Sequence, residues 1–161
     1  MLKWITLVLF FFPTAVFSQA QSPVHLEKEK AELLRVHMTD REAHLKTDVD
    51  MLLERSPEEF IAVSEGKISR SSRTEERKQF EEYFRGAKYY EWDDLEEPII
   101  RVSSDGSMAW MITRVRVRRA QKDAAGAERE RKFVYAGIMT YEKKGGKWVR
   151  VANVSTFEPL K

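Results

Sequence analysis

An α+β fold, with helices packed on one face of a strongly bent antiparallel sheet, is the prediction from this 161-residue sequence. Three observations carry it. Helical periodicity is concentrated in the first half of the chain, strand-length apolar runs fill the second half, and those runs are joined by short turns that favour antiparallel hairpins. The stretch Glu91–Arg119 anchors the prediction: Ile99, Ile100 and Val102 precede Asp105-Gly106, and Met108, Trp110, Met111, Ile112, Val115 and Val117 follow it. Asp-Gly between apolar runs marks a tight hairpin, because both residues tolerate positive φ. The strands are apolar on both faces at one end and alternate at the other, as expected where only part of a sheet is covered on both sides.

The first twenty residues stand apart from this domain. Lys3 gives a positive start, Trp4 to Phe17 is an almost unbroken apolar run, and Ser18-Gln19-Ala20 supplies the small residues a signal peptidase requires. The run is shorter than the roughly 20 residues that cross a bilayer. Residues 1–20 are therefore expected to be a signal peptide, leaving 21–161 as a single exported domain with no membrane attachment. The absence of cysteine excludes disulfides, lipid-modified cysteine and thiolate chemistry. Without Lys3 the net charge is about +1, and basic patches with interleaved aromatics are missing, so nucleic acid is not expected as a partner.

From about Pro23 to Arg55 the pattern is that of one long helix, with Leu34, Met38, Leu45, Val49 and Leu52 within a narrow arc and Leu33 and Met51 to one side. Between the two groups lie His37, Arg41, His44 and Asp48, a polar stripe inside the apolar side. Ser56-Pro57 ends the pattern. Phe60–Val63 and Lys67–Ser69 are short strand candidates around Glu65-Gly66, and Ser72 with Glu75 fits a capping box that opens a helix running to Gly86. The last two strands, Phe133–Glu142 and Trp148–Phe157, meet at Lys144-Gly145-Gly146.

The segments DGSMAWMITRVRVR, TYEKKGGKW and VANVSTF, together with AHLKTD in the first helix, resemble the nuclear-transport-factor-2-like superfamily, in particular its SnoaL-like exported branch. The resemblance spans about Glu29 to Phe157. It implies a cone: a curved sheet wrapped around the long N-terminal helix, a cystatin-like roll enclosing a pocket open at one end. Relatives of this kind include ketosteroid isomerases, polyketide cyclases, dehydratases, epoxide hydrolases and non-catalytic proteins, so the fold leaves function open.

Several residues are candidates for that pocket. His44 and Asp48 are four apart on one helix face, where a carboxylate can orient an imidazole as a base; ligand contact without chemistry and a self-satisfied structural pair are the competing readings. Trp92 and Trp110 offer flat apolar walls with one N–H donor each. Asn153 is a polar interruption in the last strand, and His37, one heptad before His44, could join a ligand site. No metal-ligand set and no cofactor motif is present, and Trp148 is expected to be a structural plug. Arg114, Arg116 and Arg118 alternate as a solvated strand face, with residues 129–132 pairing across the turn, and Asp93, Asp94, Glu96 and Glu97 read as a solvated acidic loop.

Two functions remain: a binding protein for a small apolar or ring-bearing molecule, or an acid–base enzyme of isomerase, cyclase or dehydratase type using His44 with Asp48. Met111, Val115 and Val117 are expected to give an apolar outer sheet face through which the chain forms a homodimer.

Overall fold

Ser22 opens the first helix by accepting a hydrogen bond from the His25 amide, and Pro23 sits in the first turn, where its missing N–H is not needed. The structure, a computed structural model, describes residues 22–122 and 125–160; the expected signal peptide lies outside the described residues. Helix α1 spans Pro23–Lys46 and stops at Thr47, whose backbone is left-handed with φ 52°. Asp48 then caps a separate short helix, α2 (Val49–Leu53), by accepting from the Met51 amide at 2.9 Å. The expected single helix to Arg55 is thus two helices, broken where a β-region cap interrupts the helical backbone.

The face of α1 that turns inward differs from the one its apolar residues suggest. Leu34 and Met38 are 39% and 49% exposed, while Glu29, Leu33, Val36, His37, Asp40 and Ala43 are buried. Each buried polar group has a partner across the fold. Glu29 accepts from Lys143 and from Trp148 Nε1 (2.8 Å), His37 Nε2 donates to Asp94 (2.9 Å), and Asp40 lies 3.5 Å from Arg150. Burial raises the Glu29 pKa, but the Lys143 and Trp148 contacts outweigh it and hold the carboxyl below its usual range. Of the four acidic residues expected in a solvated loop, Asp93 pairs with Arg41 and Asp94 with His37, while Glu96 and Glu97 are exposed.

Strands β1 (Glu59–Ser64) and β2 (Lys67–Ser72) form a hairpin, and the Ser72–Glu75 capping box opens α3 (Arg73–Phe84) as expected. Five further strands follow: β3 (Ala87–Asp94), β4 (Ile99–Val102), β5 (Met108–Lys122), β6 (Glu128–Lys144) and β7 (Lys147–Pro159). The sheet order is β2-β1-β7-β6-β5-β3, with β4 also paired to β5. All pairs are antiparallel except β1 with β7, which makes the curved, unclosed seven-stranded sheet mixed. The α+β cone read from the sequence is the observed architecture.

Two β-bulges decide which side chains face its interior. Tyr89 and Glu91 pair with the adjacent residues Arg119 and Arg118, leaving Tyr90 as the extra residue, so Tyr89 and Trp92 both turn inward although three apart. The register also slips between Thr140↔Ala152 and Tyr141↔Arg150, which brings Arg150 and Asn153 to the same inner face. The narrow end of the interior is filled by Leu33, Val36, Met111, Tyr141 and a fully buried Trp148, the plug expected from its place after the Gly-Gly turn. Toward the other end, Ala43, Leu52, Phe84 and Val117 pack around a space that the chain does not fill. Among the described residues no helix is long and apolar enough to cross a membrane.

Candidate functional site

At the wide end of the cone lies a cavity of about 440 Å³, within the range typical of small-molecule sites. α1 contributes His44, α2 contributes Leu52, α3 contributes Phe80 and Tyr83, β3 contributes Trp92, and the inner faces of β5, β6 and β7 supply the rest. His44 is the side chain around which the aromatic groups collect. Trp92 stacks on it at 4.9 Å between ring centroids, and Tyr83, Phe84 and Tyr89 meet it edge-on at 5.7 to 6.4 Å.

His44 Nδ1 donates to the Asp40 carbonyl at 2.7 Å, one helical turn back. That bond fixes the neutral tautomer and leaves Nε2 as an acceptor. Burial, with Arg150 and Arg119 adding to it, pushes the imidazole pKa down to about 4, although the Asp40 carbonyl pulls it upward. His44 is therefore neutral near pH 7. Asp48 does not orient it, because its carboxylate is occupied at the start of α2.

The polar groups in the wall are mainly ones that periodicity did not single out. Arg150, 7% exposed, lies between the cavity and Asp40, and burial raises the Asp40 pKa against the opposing pull of Arg150, His37 and Arg55. Arg119, 8% exposed, donates to Tyr89 Oη at 3.0 Å and stacks its guanidinium over the Tyr83 ring at 4.4 Å. Tyr135 lies along the sheet surface over Gly137, where a Cβ would come within 2.5 Å of its hydroxyl and 2.6 Å of the Val154 carbonyl. Glycine at 137 is thus what allows the phenol to occupy the floor of the cavity. Asn153 and Tyr135 line it as interacting neighbours, and Arg119 Nε and Arg150 Nε are buried without a hydrogen-bond partner.

No protein-family model and no curated protein sequence matches this chain. Solved structures do. A ketosteroid isomerase-like protein from Erwinia carotovora atroseptica superposes with a TM-score of 0.59 at 12% identity, covering 81% of this chain and 96% of its own. An NTF2-like protein with a cystatin-like fold from Novosphingobium aromaticivorans gives 0.59 at 15% identity, with 82% and 83% covered. This chain has the nuclear-transport-factor-2-like fold. The association domain of C. elegans CaMKII is also similar, with a TM-score of 0.55 at 14% identity over 82% of this chain and 98% of that one.

Within the NTF2-like cone, the sequence candidates divide. His44, Trp92 and Asn153 line the cavity together. His37 is buried against Asp94 and packs its ring 5.7 Å from Trp92, as a structural support behind the wall. Trp110 does not reach the cavity: it lies on the outer face of β5, 36% exposed, because strict alternation from the buried Ala109, Met111 and Val115 turns it outward. The same alternation overturns the expected outer face of Met111, Val115 and Val117, which are fully buried inside. Arg114, Arg116 and Arg118 do form the solvated outer face, Arg116 pairing with Glu91 and Arg118 with Glu130. Arg131, expected to pair across the turn, lines the cavity instead. Among the described residues no group of three or more His, Asp and Glu is placed to hold a metal ion.

Proposed function

We propose that this protein is an exported small-molecule-binding protein whose cavity receives a largely apolar, ring-bearing ligand. The supporting observation is the wall itself: flat rings of Trp92, Tyr83, Phe133 and Phe157 around the polar side chains of His44, Tyr135 and Asn153. Such a wall suits a ring that stacks while a small number of polar atoms fix its orientation. The neutral fluorescent probe N-phenyl-1-naphthylamine should bind one per chain, and Met139→Trp, which fills the cavity from β6, should weaken it by about tenfold or more. Absence of binding, or binding indifferent to that substitution, contradicts the reading.

Acid–base catalysis by His44 is the second reading, favoured by its neutral Nε2 at the cavity wall. A pKa of about 4 makes it a weak base, since proton transfer near pH 7 is best served by a group titrating near that pH. Ligand binding is therefore preferred. His44-dependent deuterium exchange into an enolisable ring ketone such as 2-tetralone would favour catalysis; exchange at the buffer rate leaves binding.

Export and self-association belong to the same proposal. The apolar run Trp4–Phe17 followed by Ser18-Gln19-Ala20 supports removal of residues 1–20, and intact mass of the exported protein should place its first residue at Gln21 rather than Met1. Self-association is supported by an apolar outer strip in which Ile99 pairs with Ile112, Ile112 with Ile138 and Ile138 with Val154, flanked by Trp110. Sedimentation should show a dimer that Trp110→Glu dissociates. A monomer at high micromolar concentration contradicts it.

A further inference from the structure

Resting on the small-molecule reading of the cavity, we infer that its ligand is a ring-bearing carboxylate, held by a pair of arginines on β5 and β6. Arg119 and Arg131 are direct cross-strand partners, and both line the cavity. Like charges directly opposite one another on a sheet repel. The usual remedy is an acid between them, yet the residues lining the cavity include Arg119, Arg131 and Arg150 and no Asp or Glu. Arg150 is compensated from behind by Asp40.

Arg119 has no such compensation. Among the described residues no carboxylate lies within ion-pair distance of it; its partners are the Tyr89 hydroxyl, the Tyr83 carbonyl and two aromatic faces. Its Nε is shielded from water and makes no hydrogen bond. A buried cation without an anion is unfavourable, and burial of an arginine in this state points to a counter-charge that arrives with the ligand. A planar carboxylate matches the guanidinium fork with two parallel hydrogen bonds, and Arg131 at the exposed edge completes the neutralisation. The aromatic residues around the fork then take the body of the molecule. Phe133 is two residues from Arg131 on β6, and Tyr83 already stacks on Arg119.

The same site explains a consequence for His44, whose proton Arg119 helps to exclude. A carboxylate seated on Arg119 offsets that positive charge, so binding should raise the pKa of His44.

The test uses 2-naphthoate and its neutral amide, 2-naphthamide, as calorimetric probes at pH 7.5. The naphthoate is expected to bind about tenfold or more tightly than the amide, the scale of a charge-assisted hydrogen bond. Arg119→Met should abolish that preference, and Arg131→Met should reduce it partially. Thermal melting checks the fold of each variant, and the wild-type preference alone remains decisive if a variant does not fold. NMR of wild-type His44 should show its pKa rise with naphthoate and not with the amide. Equal binding of the two probes, or a preference that survives in folded Arg119→Met, overturns the carboxylate assignment and leaves the ring-binding cavity standing. Binding of neither probe overturns the reading of the cavity on which the inference rests.

Discussion

Replacing Arg150 by Met should destabilise the protein by about 3–5 kcal/mol at neutral pH, the scale for removing one member of a buried ion pair. Arg150 is 7% exposed, approaches Asp40 at 3.5 Å, and its guanidinium lies over the Phe60 ring at 5.3 Å. It also faces Glu76, a second buried carboxyl whose pKa is raised by burial and lowered again chiefly by Arg150. Loss of the cation leaves both acids without their main opposing charge. Their pKa values rise further in the folded state, so the native chain takes up protons that the unfolded chain does not. Stability lost in the variant at pH 7 is thus partly regained as pH falls through those raised values toward the ordinary carboxylate range. Urea melts at two pH values check this, with Asp40→Asn in the Arg150→Met background expected to recover part of the loss. An Arg150→Met protein as stable as the parent contradicts the pairing.

The second large effect comes from His44. In the unfolded chain an imidazole takes up a proton below about pH 6.5, whereas in the folded protein it does so only below about 4. Its folded pKa is depressed, so the stability it allows is complete above 6.5, is lost as pH falls, and is fully lost below about 4. The loss amounts to about 3 kcal/mol. His44→Gln should flatten that part of the stability curve relative to the parent, which isolates the histidine from the acids titrating nearby. Asp48→Asn should leave the His44 titration in place, since Asp48 acts as the cap of α2 and asparagine serves well as a cap. Parallel acid limbs in parent and His44→Gln contradict the burial assigned to the ring.

The legible parts of this fold are those set by local chemistry. The hairpins at Asp105-Gly106 and Gly145-Gly146 and the Ser72–Glu75 box depend on a few adjacent residues, and all three stand where the sequence places them. The polar stripe through His37 and His44 also signalled its inward orientation, although Leu34 and Met38 then had to face outward. What the stripe could not reveal was partnership. Asp94 for His37 and Arg150 for Asp40 come from distant strands, and Asp48 was withdrawn from His44 by a helix break at Thr47.

The arginines divide on the same principle. Arg119 was readable: after the outward Arg114, Arg116 and Arg118, a second consecutive arginine must share the inward face of Val115 and Val117. Arg150 was not, because simple alternation puts residues 150 and 153 on opposite faces and only the β7 bulge unites them. Trp110 is the opposite case: its size and aromaticity suggest a pocket wall, while the alternation beside it already points outward.

The central claim, a cone whose wide end holds a ring-bearing molecule, is tested most directly by methyl NMR. Met139 lines the cavity, while Met108 lies exposed at the start of β5. With methionine methyl groups labelled by carbon-13 and N-phenyl-1-naphthylamine added, Met139 should show intermolecular contacts to the probe at one probe per chain, and Met108 should show none. Contacts confined to Met108 and the Trp110 face would place binding on the outside of the sheet and contradict the account.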